Sequence, residues 1–148
     1  MNPRPRSTRR DYRFFHPIAT RWKDNDAFGH VNNVEYYSFI DTAVTWFLLE
    51  HRLIGVTAGD TITVVVETAC RYHAPIAFPD RVTVGVRVAR IGTSSVRYEV
   101  AVFRNDEAEA AAEGHFVHVY VERATMRPVR VPAESRAALA TIAVSAPA

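Results

Sequence analysis

The hydrophobic period of this chain changes once, and that change limits the folds open to it. Over residues 33–51, Tyr36, Ile40, Ala43, Val44, Phe47 and Leu48 recur at steps of three and four, which lays one apolar stripe along a helix. Tyr37, Trp46 and Leu49 widen the stripe, so the helix is expected to be buried on most sides. Gly55 and Gly59 punctuate its exit. Beyond Gly59 the period becomes two. Ile62, Val64 and Val66 alternate with Thr61, Thr63 and Val65, and three more alternating runs are centred on Val82–Val88, Val96–Val102 and Val117–Val121. Turns fall at 74–80, 92–94 and 104–107. Before the helix, residues 14–22 read as a first strand interrupted by Pro17, and after the last strand a short helix over 133–142 follows Pro132. The order predicts an α+β fold in which one central helix, about 28 Å long at 1.5 Å per residue, is wrapped by one five-stranded antiparallel sheet. Such a sheet keeps open edges, which invite pairing with a second copy.

The composition permits that core. Of 148 residues, 48 % are apolar, enough for one domain of ordinary size. No apolar run reaches the roughly 18 residues of a membrane span. The basic start, MNPRPRSTRRDYR, has no hydrophobic stretch behind it and is not a secretory signal. Residues 1–13 read as a flexible, solvated arm and 14–148 as a single domain. Cys70 is the sole cysteine, which excludes an intrachain disulfide and a cysteine-rich zinc site and fits a cytoplasmic setting. Net charge is +2, with seventeen arginines and the single lysine Lys23. No basic block alternates with aromatics, so nucleic acid is not an expected partner.

Polar groups crowd into one place, RWKDNDAFGHVNNVEYY at residues 21–37, immediately before the helix. Singly, each has a structural explanation: Asp24 and Asp26 as loop acids, Gly29 as a site of positive φ, His30 as a packing residue, Asn32 or Asn33 as an N-cap with Glu35 completing a capping box. Together they make a chemical arrangement. A helix N-terminus offers unpaired N–H groups and a partial positive charge, which can hold a carbonyl oxygen as it gains negative charge. A carboxylate a few residues earlier can activate water or attack the carbonyl itself. The pair suits acyl transfer or ester hydrolysis. No Gly-x-Ser-x-Gly elbow is present, and no serine or cysteine is nominated as nucleophile.

RWKDNDAFGHVNNVEYYSFIDTA resembles the hot-dog-fold thioesterases of the 4-hydroxybenzoyl-CoA and acyl-CoA thioesterase group, whose signature is an aspartate pair, then Gly-His-Val-Asn-Asn, then Tyr at the head of the hot-dog helix. RYHAPIAFPDRVTV resembles the family's passage into its next strand, and VERATMRPVRVPAESRAAL its closing strand, Arg-Pro turn and last helix, so the likeness covers about residues 14–140. It implies a hot-dog fold and hydrolysis of an acyl-CoA to free acid and CoA, without cofactor or metal. Asp26 takes the family's base or nucleophile position, backbone N–H at Asn33 with Asn32 the carbonyl-polarising position, and His30 a position that is histidine in some members only. Gly29, Val31 and Asn32 would border the substrate, and Asp24 would fix the loop.

The resemblance further implies a homodimer or homotetramer whose sheets join into one of ten strands, with each site between two chains. Glu67, Thr68 and Arg71 are then candidates to face the cluster from the partner, and the arginines at 71, 81, 87 and 90 candidates for CoA phosphates. Three alternatives keep part of this picture. Hot-dog hydratases carry an acid and a histidine five positions apart, whereas Asp26 precedes His30 by four and Asp24 by six. Acyl-ACP thioesterases carry an asparagine two after the acid, where this chain has Phe28. A non-catalytic acyl-CoA-binding module would keep the fold and lose turnover.

Overall fold

The computed structural model describes residues 4–54 and 59–144. The chain forms β1 (Phe14–Ala19), α1 (Asn33–Glu50), β2 (Thr61–Tyr72), β3 (Arg81–Ile91), β4 (Ser95–Arg104), β5 (Ala112–Glu122) and α2 (Ala133–Ala140). The five strands make one sheet in the order β1-β3-β4-β5-β2, antiparallel throughout. This is the hot-dog arrangement: α1, about 27 Å long, is packed into one face of the sheet. Phe39, Ile40, Val44, Phe47 and Leu48 interlock there with Val84, Val86, Val96, Tyr98, Val100 and Val102, all buried. Each such side chain contributes about 1.5–3 kcal/mol of transfer free energy, so the long helix is held by packing and needs little intrinsic propensity.

β1 stops at Ala19, before the end at 22 that the sequence suggested. Asp24 is responsible: its carboxylate accepts the Arg21 backbone N–H at 2.7 Å and draws Trp22–Asp24 into a 3-10 turn. Pro17 stays inside β1, opposite Thr83, because β1 is an edge strand where a missing N–H can face outward. Gly55 lies outside the described residues, and Gly59 has a φ of +106°.

β2 departs from plain alternation. A bulge between Val65 and Glu67 leaves Val66 without a partner on β5. Val65 stands opposite buried His118, and after the bulge Thr68 stands opposite buried Phe116. The extra residue reverses the parity of the strand. Thr68, Cys70 and Tyr72 therefore share the helix side with Val65, while Glu67, Ala69 and Arg71 turn to the outer side.

The N-terminal segment, read from the sequence as a solvated arm, lies along the β4–β5 connection from Arg6 to Tyr12. Its arginines act as backbone donors: Arg6 Nε to the Ala110 carbonyl at 2.8 Å, and Arg9 Nε and Nη2 to the Glu107 and Asn105 carbonyls at 2.9 and 2.6 Å. Backbone bonds from Ala110 N–H to Ser7 and from Arg9 N–H to Ala108 extend the seam. Tyr12 packs edge-on against Phe103, its ring also capped by the Arg87 guanidinium, and builds a second small core on the outer face of the sheet. A Cβ at Gly85 would meet the Tyr12 ring at 2.9 Å, so only glycine lets the tyrosine seat there.

Candidate active site

The loop between β1 and α1 is organised around Asp24. Its side chain is fully buried and accepts three hydrogen bonds from Arg21, from the backbone N–H at 2.7 Å, Nη2 at 2.9 Å and Nε at 3.1 Å. Its backbone carbonyl accepts the Asn32 N–H at 2.8 Å. One residue thus ties the start of the loop to the residue that caps α1. Glu35, in the first turn of α1, brings its carboxylate to 3.5 Å from Arg21 Nη2. The capping box expected from Glu35 does not form as such: the Asn32 side chain accepts the Val34 N–H at 3.2 Å, and Glu35 is drawn to Arg21.

Between these anchors, Asp26 to His30 closes a tight turn. Asp26 N–H donates to the His30 carbonyl at 2.9 Å, and Gly29 N–H donates to the Asp26 carbonyl at 3.0 Å. Gly29 has a φ of +83°, where an L side chain is strained. The Asp26 carboxylate accepts one bond, from Phe28 N–H to Oδ1 at 2.9 Å. Among the described residues its Oδ2 has no partner, in contrast to the saturated carboxylate two positions earlier. Val31 is buried; its N–H donates to the Ile76 carbonyl at 2.7 Å, which locks the loop to the β2–β3 connection. Asn25 adds a second lock by accepting the Phe78 N–H at 3.0 Å.

The first turn of α1 then has an uneven supply of donors. Val34 N–H is taken by the Asn32 side chain and Glu35 N–H by the Asn32 carbonyl at 2.9 Å. Asn33 N–H donates to nothing among the described residues. Beside it opens a shallow cavity of about 310 Å³, with His30, Val31, Asn33, Tyr36, Tyr72 and Pro75 in its walls. An unpaired N–H at a helix tip is where an oxyanion is stabilised, each such donor being worth about 3 kcal/mol in a water-poor site. In one chain, however, Asn33 and His30 are exposed.

The structure brings Gly29, His30, Val31, Asn32 and Asn33 together, with Asp26 across the turn from His30. It does not bring Glu67 or Arg71 to the helix-tip cavity of their own chain. Glu67 lies on the outer face, 2.9 Å from His115 Nε2 and 3.9 Å from Arg97. Arg71 borders a separate outer-face cavity with Arg87, Arg97 and Glu113. The bulge at Val66 is the physical reason for both placements. The same bulge turns Tyr72 inward, where its hydroxyl donates to the Asn33 carbonyl at 3.0 Å. Sequence reasoning passed over Tyr72 as a site residue. The available signal was an aromatic placed directly before His-Ala-Pro, at the end of the strand that faces the helix tip.

The profile of the thioesterase-like superfamily matches residues 20–139, a span that takes in the loop, α1 and every strand of the sheet except β1. The chain belongs to that superfamily, a class of thioester hydrolases. PA5185 from Pseudomonas aeruginosa PAO1 is 52 % identical, with a TM-score of 0.93 over 97 % of this chain and 100 % of that one. PA2801 from the same species is 29 % identical, with a TM-score of 0.80 over 85 % and 97 % of the two chains. Slr0204 of Synechocystis, a 1,4-dihydroxy-2-naphthoyl-CoA thioesterase, shares the fold at 17 % identity and a TM-score of 0.79, over 86 % of this chain and 95 % of that one. Among the described residues, no helix is long and apolar enough to cross a membrane.

Proposed function

We propose that this protein hydrolyses an acyl-CoA thioester to a free acid and CoA in the cytoplasm, as a homodimer or homotetramer. The observation that carries the reading is the unpaired Asn33 N–H at the tip of a packed helix, with the unsaturated carboxylate of Asp26 on the other side of the Gly29 turn. The Asn33 N–H holds the thioester oxygen as it becomes an oxyanion. Asp26 supplies either a general base for water or the attacking oxygen. In the first case water's oxygen bonds to the carbonyl carbon, its proton passes to Asp26 and on to the departing sulfur, and the C–S bond breaks. His30, Gly29, Val31 and Asn32 shape the space around the acyl carbonyl.

The assembly reading rests on β2. It is an edge strand, and at its centre Val65 and Val66 are 47 % and 57 % exposed. A second copy paired along β2 would cover those valines. It would also close over the open helix tip and exclude water from it. Glu67, Thr68 and Arg71 would then meet the partner's side of the joined sheet.

The test is thiol release from short, long and aromatic acyl-CoAs, with crotonyl-CoA included and the oligomeric state measured by light scattering. Release of thiol from at least one acyl-CoA by a dimer or larger species is expected. Loss of the crotonyl double bond without thiol release would contradict the hydrolase reading and favour a hydratase.

A further inference from the structure

We infer that Tyr72 is a positioning residue for the oxyanion site, tethering the first turn of α1 to the end of the sheet. The inference rests on reading the helix tip as the site of carbonyl polarisation. Tyr72 is the last residue of β2, paired with Ala112 on β5, so its backbone is fixed by the sheet. Its hydroxyl donates to the carbonyl of Asn33 at 3.0 Å. Its ring meets buried Tyr36 edge-on, with centroids 5.0 Å apart and planes at 88°. Both rings line the cavity beside the unpaired Asn33 N–H.

The geometry matters because helix ends fray and the first residue is the least constrained. Among the described residues, Asn33 N–H has no acceptor, whereas Val34 and Glu35 N–H are both held by Asn32. Its direction depends on the peptide planes on either side of it. Asp24 fixes the preceding side, through the bond from Asn32 N–H. Tyr72 fixes the following side, through the Asn33 carbonyl. Partial burial raises the Tyr72 hydroxyl above its ordinary range, so at neutral pH it is protonated and can donate. Because a misplacement of about 1 Å can cost on the order of 100-fold in rate, partial loosening of one turn is expected to show in kcat.

The experiment compares the full-length wild type with Tyr72→Phe, which keeps the ring and its contact with Tyr36 and removes only the hydroxyl. Three readouts are taken: kcat and KM for a hydrolysed acyl-CoA, the pH profile, and hydrogen exchange at the amide of Tyr37, which bonds back to the Asn33 carbonyl in the helix. The inference predicts a fall in kcat of about 10-fold with KM changed less than about 3-fold, an unshifted pH profile, and faster exchange at Tyr37. A wild-type kcat in the variant, or unchanged exchange at Tyr37, would overturn it. If the wild type hydrolyses no acyl-CoA, the proposed activity fails on its own. Faster exchange in Tyr72→Phe would still support the tether in that case, and unchanged exchange would still reject it.

Discussion

Asp24 and Asp26 stand two positions apart in the same loop and are treated by the fold in opposite ways. Asp24 is buried and accepts three hydrogen bonds from one arginine, while its carbonyl holds the cap of α1. Every one of its contacts serves the chain itself. Asp26 is half-buried and its carboxylate spends one oxygen on the Phe28 N–H, leaving the other unpartnered among the described residues. A carboxylate that is saturated stabilises; one held in place but incompletely bonded keeps capacity for a substrate. On the proposed function the loop separates rigidity from reactivity, with Asp24 fixing the cap of α1 and Asp26 left free to act on the substrate.

The contrast can be broken most sharply by exchanging each acid for its amide. Asp26→Asn is expected to lower kcat by about 1,000-fold, equivalent to about 4 kcal/mol, while the thermal midpoint stays within a few degrees of wild type. Asp24→Asn should do the reverse in kind, costing about 3 kcal/mol of stability in denaturant unfolding, because it removes a buried charge and leaves Arg21 donors unmatched. If both variants lost stability equally and neither lost turnover selectively, the division of labour between the two acids would be wrong.

A buried polar group at the other end of the sheet sharpens the comparison. His118 sits on the helix side of β5, buried, and its Nδ1 has no partner among the described residues. Burial pushes its pKa down from the ordinary 6.5 to about 4. Between those values the unfolded chain binds a proton that the native chain refuses, so stability rises with pH across that window. The contribution is fully present above about pH 6.5 and falls by up to about 3 kcal/mol as the pH drops toward 4. His118→Phe should flatten this part of the stability–pH curve, measured by urea unfolding at several pH values; an equally steep curve in the variant would show that other groups carry the slope. Asp24, which is saturated with donors, and His118, which is not, then differ in the way buried polar groups with and without partners are expected to differ.

Much of this was legible in the amino-acid order, for a physical reason. The helix and strands announce themselves through period, and the Asp26–Asn33 turn is contiguous, so a local pattern describes its geometry. The edge strand could not be read the same way. Val64, Val65 and Val66 are chemically alike, so nothing in the run shows which of them becomes the extra residue of the bulge. That single residue decides whether Arg71 or Tyr72 faces the helix. The N-terminal segment was equally opaque: arginines in a basic stretch look solvated, and only the fold supplies the row of turn carbonyls at Asn105, Glu107 and Ala110 to which Arg6 and Arg9 donate.

The central claim is that one carbonyl is gripped from two sides, by the Asn33 N–H and by the residue-26 side chain. It is tested most directly by a crystal structure of the Asp26→Asn protein with an intact acyl-CoA bound. The account predicts the thioester oxygen about 2.7–3.1 Å from the Asn33 nitrogen, with the side chain of residue 26 on the opposite face of the carbonyl carbon. A thioester bound with its oxygen turned away from the first turn of α1 would contradict it.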